Sequence, residues 1–229
     1  MSKILIIGAS SGIGKSLSES LNKDNHEVYV TYRNNEPTKN KESQKWDAGS
    51  DEEIDIIPDE LDGLVYCPGT INLKPFHRIK IEDFEDELNV NFIGAVKAIQ
   101  SALPYLKKSG NASVVLFSTV AVQNGMPFHS GVASAKGAIE GLTRSLAAEL
   151  APKIRVNCIA PSITDTPLAE KILSNDDKKK NSAERHPLKR VGETEDIVNA
   201  IEFLLSNKSS WISGEILHVD GGMNAIRPL

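Results

Sequence analysis

Along this chain, short apolar runs rich in β-branched residues alternate with longer stretches whose apolar positions repeat with helical period. The runs predict strands at 3–7, 27–32, 44–47, 63–67, 113–117, 155–160 and 216–219. After the first run, Ile13, Leu17 and Leu21 recur every four residues and mark one apolar stripe, so a helix follows the first strand directly. Further helices are predicted at about 84–106, 132–150 and 195–205. Strands that alternate with amphipathic helices build a parallel sheet covered on both faces, here a doubly wound α/β architecture of about seven strands.

No linker or internal repeat divides the 229 residues, and a single domain over 1–229 accounts for them. Two stretches interrupt the alternation. Residues 34–62 leave little room for crossover helices, because 36–45 is short and polar and Ile56-Ile57-Pro58 opposes a helix. Residues 163–190 are irregular and long enough to act as a lid, with Asp176-Asp177-Lys178-Lys179-Lys180 reading as a solvated helix face or loop tip.

Composition removes several classes of function. An apolar fraction of 40% supplies a core, and a net charge of −5 gives no electrostatic reason to expect nucleic acid or an anionic membrane surface as partner. Cys67 and Cys158 are spaced neither as a disulfide framework nor as metal ligands, so no metal site is expected and a reducing cytoplasm is the natural compartment. The opening apolar run is too short for a signal segment, and no stretch approaches the ~20 residues of a membrane span.

The first candidate chemistry lies between the first strand and helix, in Gly8-Ala9-Ser10-Ser11-Gly12-Ile13-Gly14. Three glycines at this junction allow a tight turn and a close approach of backbone to pyrophosphate, with the helix N-terminus aimed at the phosphates. A dinucleotide site is the implied function. The end of the second strand selects the dinucleotide: an acid there would accept hydrogen bonds from the adenosine ribose, but this chain has Tyr32-Arg33. A guanidinium grips a 2′-phosphate, so Arg33 favours NADPH over NADH.

With these residues in view, the chain resembles the short-chain dehydrogenase/reductase family, most closely its 3-oxoacyl carrier-protein reductase subgroup. The glycine loop matches TGxxxGIG with Ile7 in place of the threonine, Asn91-Phe92-Ile93-Gly94 matches Asn-Leu-x-Gly, and Val219-Asp220-Gly221-Gly222 is the usual tail. The resemblance implies a Rossmann fold that binds NADP, with Ser10, Ser11, Gly12, Ile13 and Gly14 in the phosphate loop. It places Asp47 at the adenine and Gly69 beside the adenosine half. Pro161, Ile163 and Thr166 fall near phosphate and the nicotinamide carboxamide, although Ser162 replaces the motif's glycine. It further implies a small carbonyl or alcohol substrate and a homodimer or homotetramer built through the helices at 84–106 and 132–150.

The same resemblance assigns Lys136 to the nicotinamide ribose and Asn91 to a water linked to it. The family's catalytic tyrosine, four residues before the lysine, is Val132. Its serine, thirteen residues before that tyrosine, is Thr119; neighbouring Ser118 points the other way in extended chain. His129, on the loop leading into the helix, is one replacement for the lost proton carrier, because imidazole suits proton transfer at neutral pH. Thr119 or water are others. His26, His77, His186 and His218 fall in no motif and read as structural. Two functions remain open: an oxidoreductase with an altered proton relay, and an NADP-binding regulatory or scaffold protein that has lost chemistry.

Overall fold

In the computed structural model, which describes residues 1–226, the seven strands form one all-parallel sheet. They are β1 (Lys3–Ile7), β2 (Glu27–Tyr32), β3 (Glu42–Lys45), β4 (Gly63–Tyr66), β5 (Ala112–Phe117), β6 (Ile154–Pro161) and β7 (Ile216–Val219), in the spatial order β3-β2-β1-β4-β5-β6-β7. The chain winds outward from β1 to β3 and then returns to start β4 on the other side of β1. A crevice opens at that reversal, beyond the carboxyl ends of the strands, where α/β sheets hold ligands.

Both faces of the sheet are buried, and β1 shows how. Leu5 and Ile7 join Leu64, Leu116 and Ile139 in one core. Ile4 and Ile6 face the other way and join Val28, Leu17, Ile201 and Leu204. The period of two thus feeds two layers, and each fully buried aliphatic side chain contributes roughly 1.5–3 kcal/mol. The first layer is covered by α3 (Gly94–Ser109) and α5 (Ser130–Leu150), the second by α1 (Gly12–Lys23) and α7 (Thr194–Leu205).

Three boundaries depart from expectation. β3 lies two residues earlier than 44–47, because the chain leaves the sheet at Trp46, whose indole Nε1 donates to the Glu52 carbonyl (2.9 Å). Residues 46–62 contain no helix, so that edge is indeed compressed. The single helix expected at 84–106 is a longer rod made of α2 (Ile81–Leu88), one π-helical turn (Asn89–Ile93) and α3. The Glu87 carbonyl accepts Asn91 Nδ2 at 2.9 Å, a side-chain bond that competes with the regular helical ladder. Between residues 163 and 190 the chain forms a 3-10 turn, Pro167–Ala169, and α6 (Asp176–Glu184), capped by Asn175, which accepts from Lys178 N at 2.9 Å. A short α4 (Ala121–Asn124) precedes α5.

Candidate active site

Beyond β1, backbone geometry requires the glycines. Gly8 and Gly12 have φ of +83° and +54°, which a side chain disfavours. A Cβ on Gly14 would stand 2.3 Å from the Gly8 carbonyl oxygen, so only glycine lets α1 approach the strand this closely. Ser11 is the N-cap of α1 but its side chain makes no capping bond, and the first turn carries no acid. Its first backbone N–H groups therefore remain available to an anion. Thr166 leans over them, its Cβ 3.5 Å from the Cβ that Gly12 lacks. On the adenosine side, Arg33 N donates to Ser10 Oγ at 3.2 Å, and among the described residues no carboxylate lies within 4.0 Å of its guanidinium. Asp47 is held two residues past β3 by the Gly49 N–H (3.1 Å). The open glycine turn and the uncapped first N–H groups of α1 fit the phosphates of a dinucleotide.

At the other end of the crevice is a cavity of about 530 Å³. Its walls are chiefly apolar, with Ile71, Leu73, Phe128, Leu168 and Ile172 among them; Ile13, Pro161 and Ile163 also line it. Lys136 is only 7% exposed, and burial pulls its ammonium down to about 8 against the attraction of the Cys158, Glu87 and Cys67 groups. A Cβ on Gly69 would meet both Asn91 Oδ1 (3.2 Å) and Lys136 Nζ (3.6 Å), which fixes those three residues as neighbours.

A buried carboxylate completes this corner. Glu87 accepts from Thr70 Oγ1 (2.7 Å), Asn91 Nδ2 (2.8 Å) and Asn72 N (2.9 Å). The sequence reading missed it, although its place four residues before Asn91 on one helix face was the available signal.

The two hydroxyls at the end of β5 separate cleanly. Ser118 donates to Glu140 Oε1 at 2.7 Å and is committed to α5, whereas Thr119 Oγ1 accepts only the Ala121 N–H (3.3 Å). Val132 is 4% exposed and lines the cavity one turn before Lys136. Among the described residues no tyrosine lines it; Tyr66 is nearby in the fold, but its hydroxyl donates to the Val90 carbonyl at 2.6 Å, and burial drives its ionisation upward. His129 reaches the cavity wall with Nδ1 on the Pro127 carbonyl (2.8 Å). His186, read as structural, lies on the same cavity, with Nε2 2.8 Å from Ser162 Oγ.

A family model described as enoyl-(acyl carrier protein) reductase matches residues 8–224. The 3-oxoacyl-[acyl-carrier-protein] reductase FabG of Thermotoga maritima is 30% identical over 238 residues, covering 96% of each chain. The chain belongs to the short-chain dehydrogenase/reductase family. Among solved structures, the ligand-free aldohexose dehydrogenase of Thermoplasma acidophilum superposes with a TM-score of 0.88 at 27% identity, over 100% of this chain and 96% of that one. ElxO with NADP bound gives 0.88 at 27%, over 97% and 99%. In this short-chain dehydrogenase/reductase, Lys136 and Asn91 stand together beside Gly69, with the aliphatic Val132 one turn before the lysine. Among the described residues no His/Cys/Asp/Glu cluster is spaced for a metal, and no helix is long and apolar enough to cross a membrane.

Proposed function

We propose that the protein is an NADPH-dependent oxidoreductase acting on a carbonyl or alcohol substrate through a proton route that bypasses residue 132. The observation that carries this reading is Lys136. Burying an ammonium is unfavourable, and a fold that needed only packing would place an apolar side chain there. Instead it stands beside Asn91 and Gly69 at the edge of a cavity that also holds the Thr119 hydroxyl. The NADP of ElxO and the reductase relatives support the choice of cofactor.

The bound dinucleotide supplies or takes up the hydride. Every other task falls to the chain. Gly8, Ser10, Ser11, Gly12, Ile13 and Gly14 cradle the pyrophosphate, Arg33 pairs with the 2′-phosphate, and Asp47 meets the adenine. Lys136 and Asn91 hold the nicotinamide ribose, while Pro161, Ile163 and Thr166 flank the carboxamide. Thr119 orients the substrate oxygen. The apolar walls take the substrate's body and exclude water, which strengthens each polar contact inside. The 163–190 segment supplies Leu168, Ile172 and Arg185 to these walls and acts as the lid. A second copy docks on the α2–α3 rod, where Ile81, Leu88 and Ile93 are exposed, giving a dimer or tetramer in the cytoplasm that sedimentation measures.

Purified protein should oxidise NADPH in the presence of some member of a panel of apolar ketones and aldehydes, and Lys136→Met should abolish it. Tight NADPH binding without turnover on any substrate would instead make this a dinucleotide-responsive binding protein, the reading that Val132 favours. Arg33→Ala is expected to weaken NADPH binding by about 10- to 100-fold, as loss of charge-assisted bonds does, and to leave NADH binding unchanged. Equal losses for both dinucleotides would remove Arg33 from the 2′-phosphate. Where turnover is found, Thr119→Ala lowers kcat more than Ser118→Ala, because Ser118 is already bonded to Glu140; the opposite ranking would shift the assignment by one residue.

A further inference from the structure

Two polar side chains on the cavity wall make a pair that the assigned site does not use. His186 is 2% exposed. Its Nδ1 is 2.8 Å from the Ser182 carbonyl oxygen and its Nε2 is 2.8 Å from Ser162 Oγ. A carbonyl only accepts, so Nδ1 carries a proton, and in the neutral ring Nε2 is a bare acceptor that takes the Ser162 hydroxyl proton. Gly221 abuts the ring, where a Cβ would lie 3.3 Å from His186 Cδ2, and holds it in place.

Ser162 stands where this pair can reach the chemistry. It follows Pro161 at the carboxyl end of β6, and the Pro161 carbonyl accepts the Val120 N–H at 3.2 Å. Thr119 and Ser162 thus lie at the carboxyl ends of adjacent parallel strands and both line the one cavity. Met223 Sδ, 3.4 Å from Ser162 Oγ, is the other acceptor in reach but a weak one; with its proton directed at His186, Ser162 Oγ has lone pairs left for a hydroxyl in that cavity. His129 lacks this arrangement: among the described residues no hydroxyl meets its Nε2.

We propose that Ser162 and His186 are the proton-transfer pair of this site, with Ser162 touching the reacting oxygen and His186 holding the proton behind it. The proposal rests on the oxidoreductase reading. For alcohol oxidation, the substrate O–H bond breaks and its proton joins Ser162 Oγ as the Ser162 proton joins His186 Nε2. The carbinol C–H bond breaks as the carbonyl π bond forms, with its hydride taken up by the oxidised dinucleotide. Imidazolium is left, neutralised by loss of its proton to solvent after product departs. Carbonyl reduction follows the same path backwards. Thr119 keeps its place as the second hydroxyl on the same oxygen. The pair substitutes for the tyrosine by approaching that oxygen from β6 rather than from α5.

The test uses the full-length protein, NADPH and the panel substrate it turns over best. Ser162→Ala and His186→Gln are each expected to lower kcat by about 10²-fold, within the range of general acid–base catalysis, while KM and the NADPH dissociation constant read by nicotinamide fluorescence stay unchanged. Ser162→Thr, which keeps the hydroxyl, restores most of the rate. Nitrogen-15 NMR of the free protein should show His186 as the Nδ1–H tautomer, with an Nε2 resonance that moves in Ser162→Ala. If His186→Gln does not fold, Ser162→Ala, at a side chain open to the cavity, still decides. Turnover that survives Ser162→Ala, or that is lost in His129→Gln but not in His186→Gln, overturns the pair and leaves the oxidoreductase intact. No turnover in the unaltered protein overturns both.

Discussion

Val132→Tyr is expected to raise carbonyl reduction by at least about tenfold, toward the ~10² to 10⁴ that a positioned acid supplies. Residue 132 lies one helical turn before Lys136 on the same face of α5, and both line the cavity. A phenol placed there would point toward the Lys136 ammonium, which favours the phenolate and so lowers the tyrosine's ionisation towards neutrality. The obstacle is volume, since an aromatic ring forced into a closed core costs 1–3 kcal/mol. Here the about 530 Å³ of open space beside Val132 receives the ring. Val132→Phe is the control, equal in bulk but without the hydroxyl, and should give no gain. Val132→Tyr should also restore turnover to Ser162→Ala, because it brings a proton from the opposite wall. A folded, NADPH-binding Val132→Tyr protein no faster than its parent would mean that the reacting oxygen no longer lies where α5 can reach it.

Lys136→Met is expected to act in two opposite directions. It weakens NADPH binding by about 10- to 100-fold through loss of charged hydrogen bonds to the ribose, yet it stabilises the free fold. Burial holds the ammonium at about 8, below its usual 10.5 and net of the attraction of Glu87 and both thiols. Below pH 8 the charge is present in folded and unfolded chains alike, and its burial penalty is felt in full. Between about 8 and 10.5 the unfolded chain binds more protons, so stability rises with pH across that window. Methionine carries no such penalty. Its melting temperature at pH 7 should exceed the parent's by on the order of 5 °C, and the alkaline rise should vanish from a calorimetric pH series. NADPH binding by the parent weakens as pH rises through about 8, while binding by the variant stays flat. A variant that melts lower than its parent at pH 7 would show that Lys136 supports the fold.

The parts of this site that the sequence disclosed are those whose chemistry is local. Gly8, Gly12 and Gly14 lie within one turn, and their spacing reflects backbone clashes that any chain entering α1 from β1 would meet. Lys136 and the gap at Val132 were legible because one helical turn relates them. Alternation in extended chain singled out Thr119, but β5 ends at Phe117 and both Ser118 and Thr119 line the cavity, so only the bond of Ser118 to Glu140 sets them apart. Ser162 and His186 were not, since 24 residues and the whole of α6 separate them, and only the fold of that segment returns the imidazole to the end of β6. The β3 boundary slipped because residues 42–47 are polar at nearly every position, and the turn at Trp46 depends on a bond to Glu52 that no periodicity records. Glu87 sits on a helix rich in acids, where one buried carboxylate has the same spelling as its solvated neighbours.

The π-helical turn at Asn89–Ile93 gives the α2–α3 rod one residue more than an unbroken α-helix would need to span the same rise. Each α-helical residue advances the azimuth by about 100°, so the two halves of the rod are phased by that extra residue. Chain length, as much as residue identity, is therefore a determinant of the buried polar corner. A relative with the same side chains but one residue fewer between Glu87 and Gly94 would wind smoothly and swing its carboxylate away from the loop of Thr70 and Asn72. The count of residues across this turn therefore decides whether a homologue with the same side chains can form the same buried corner.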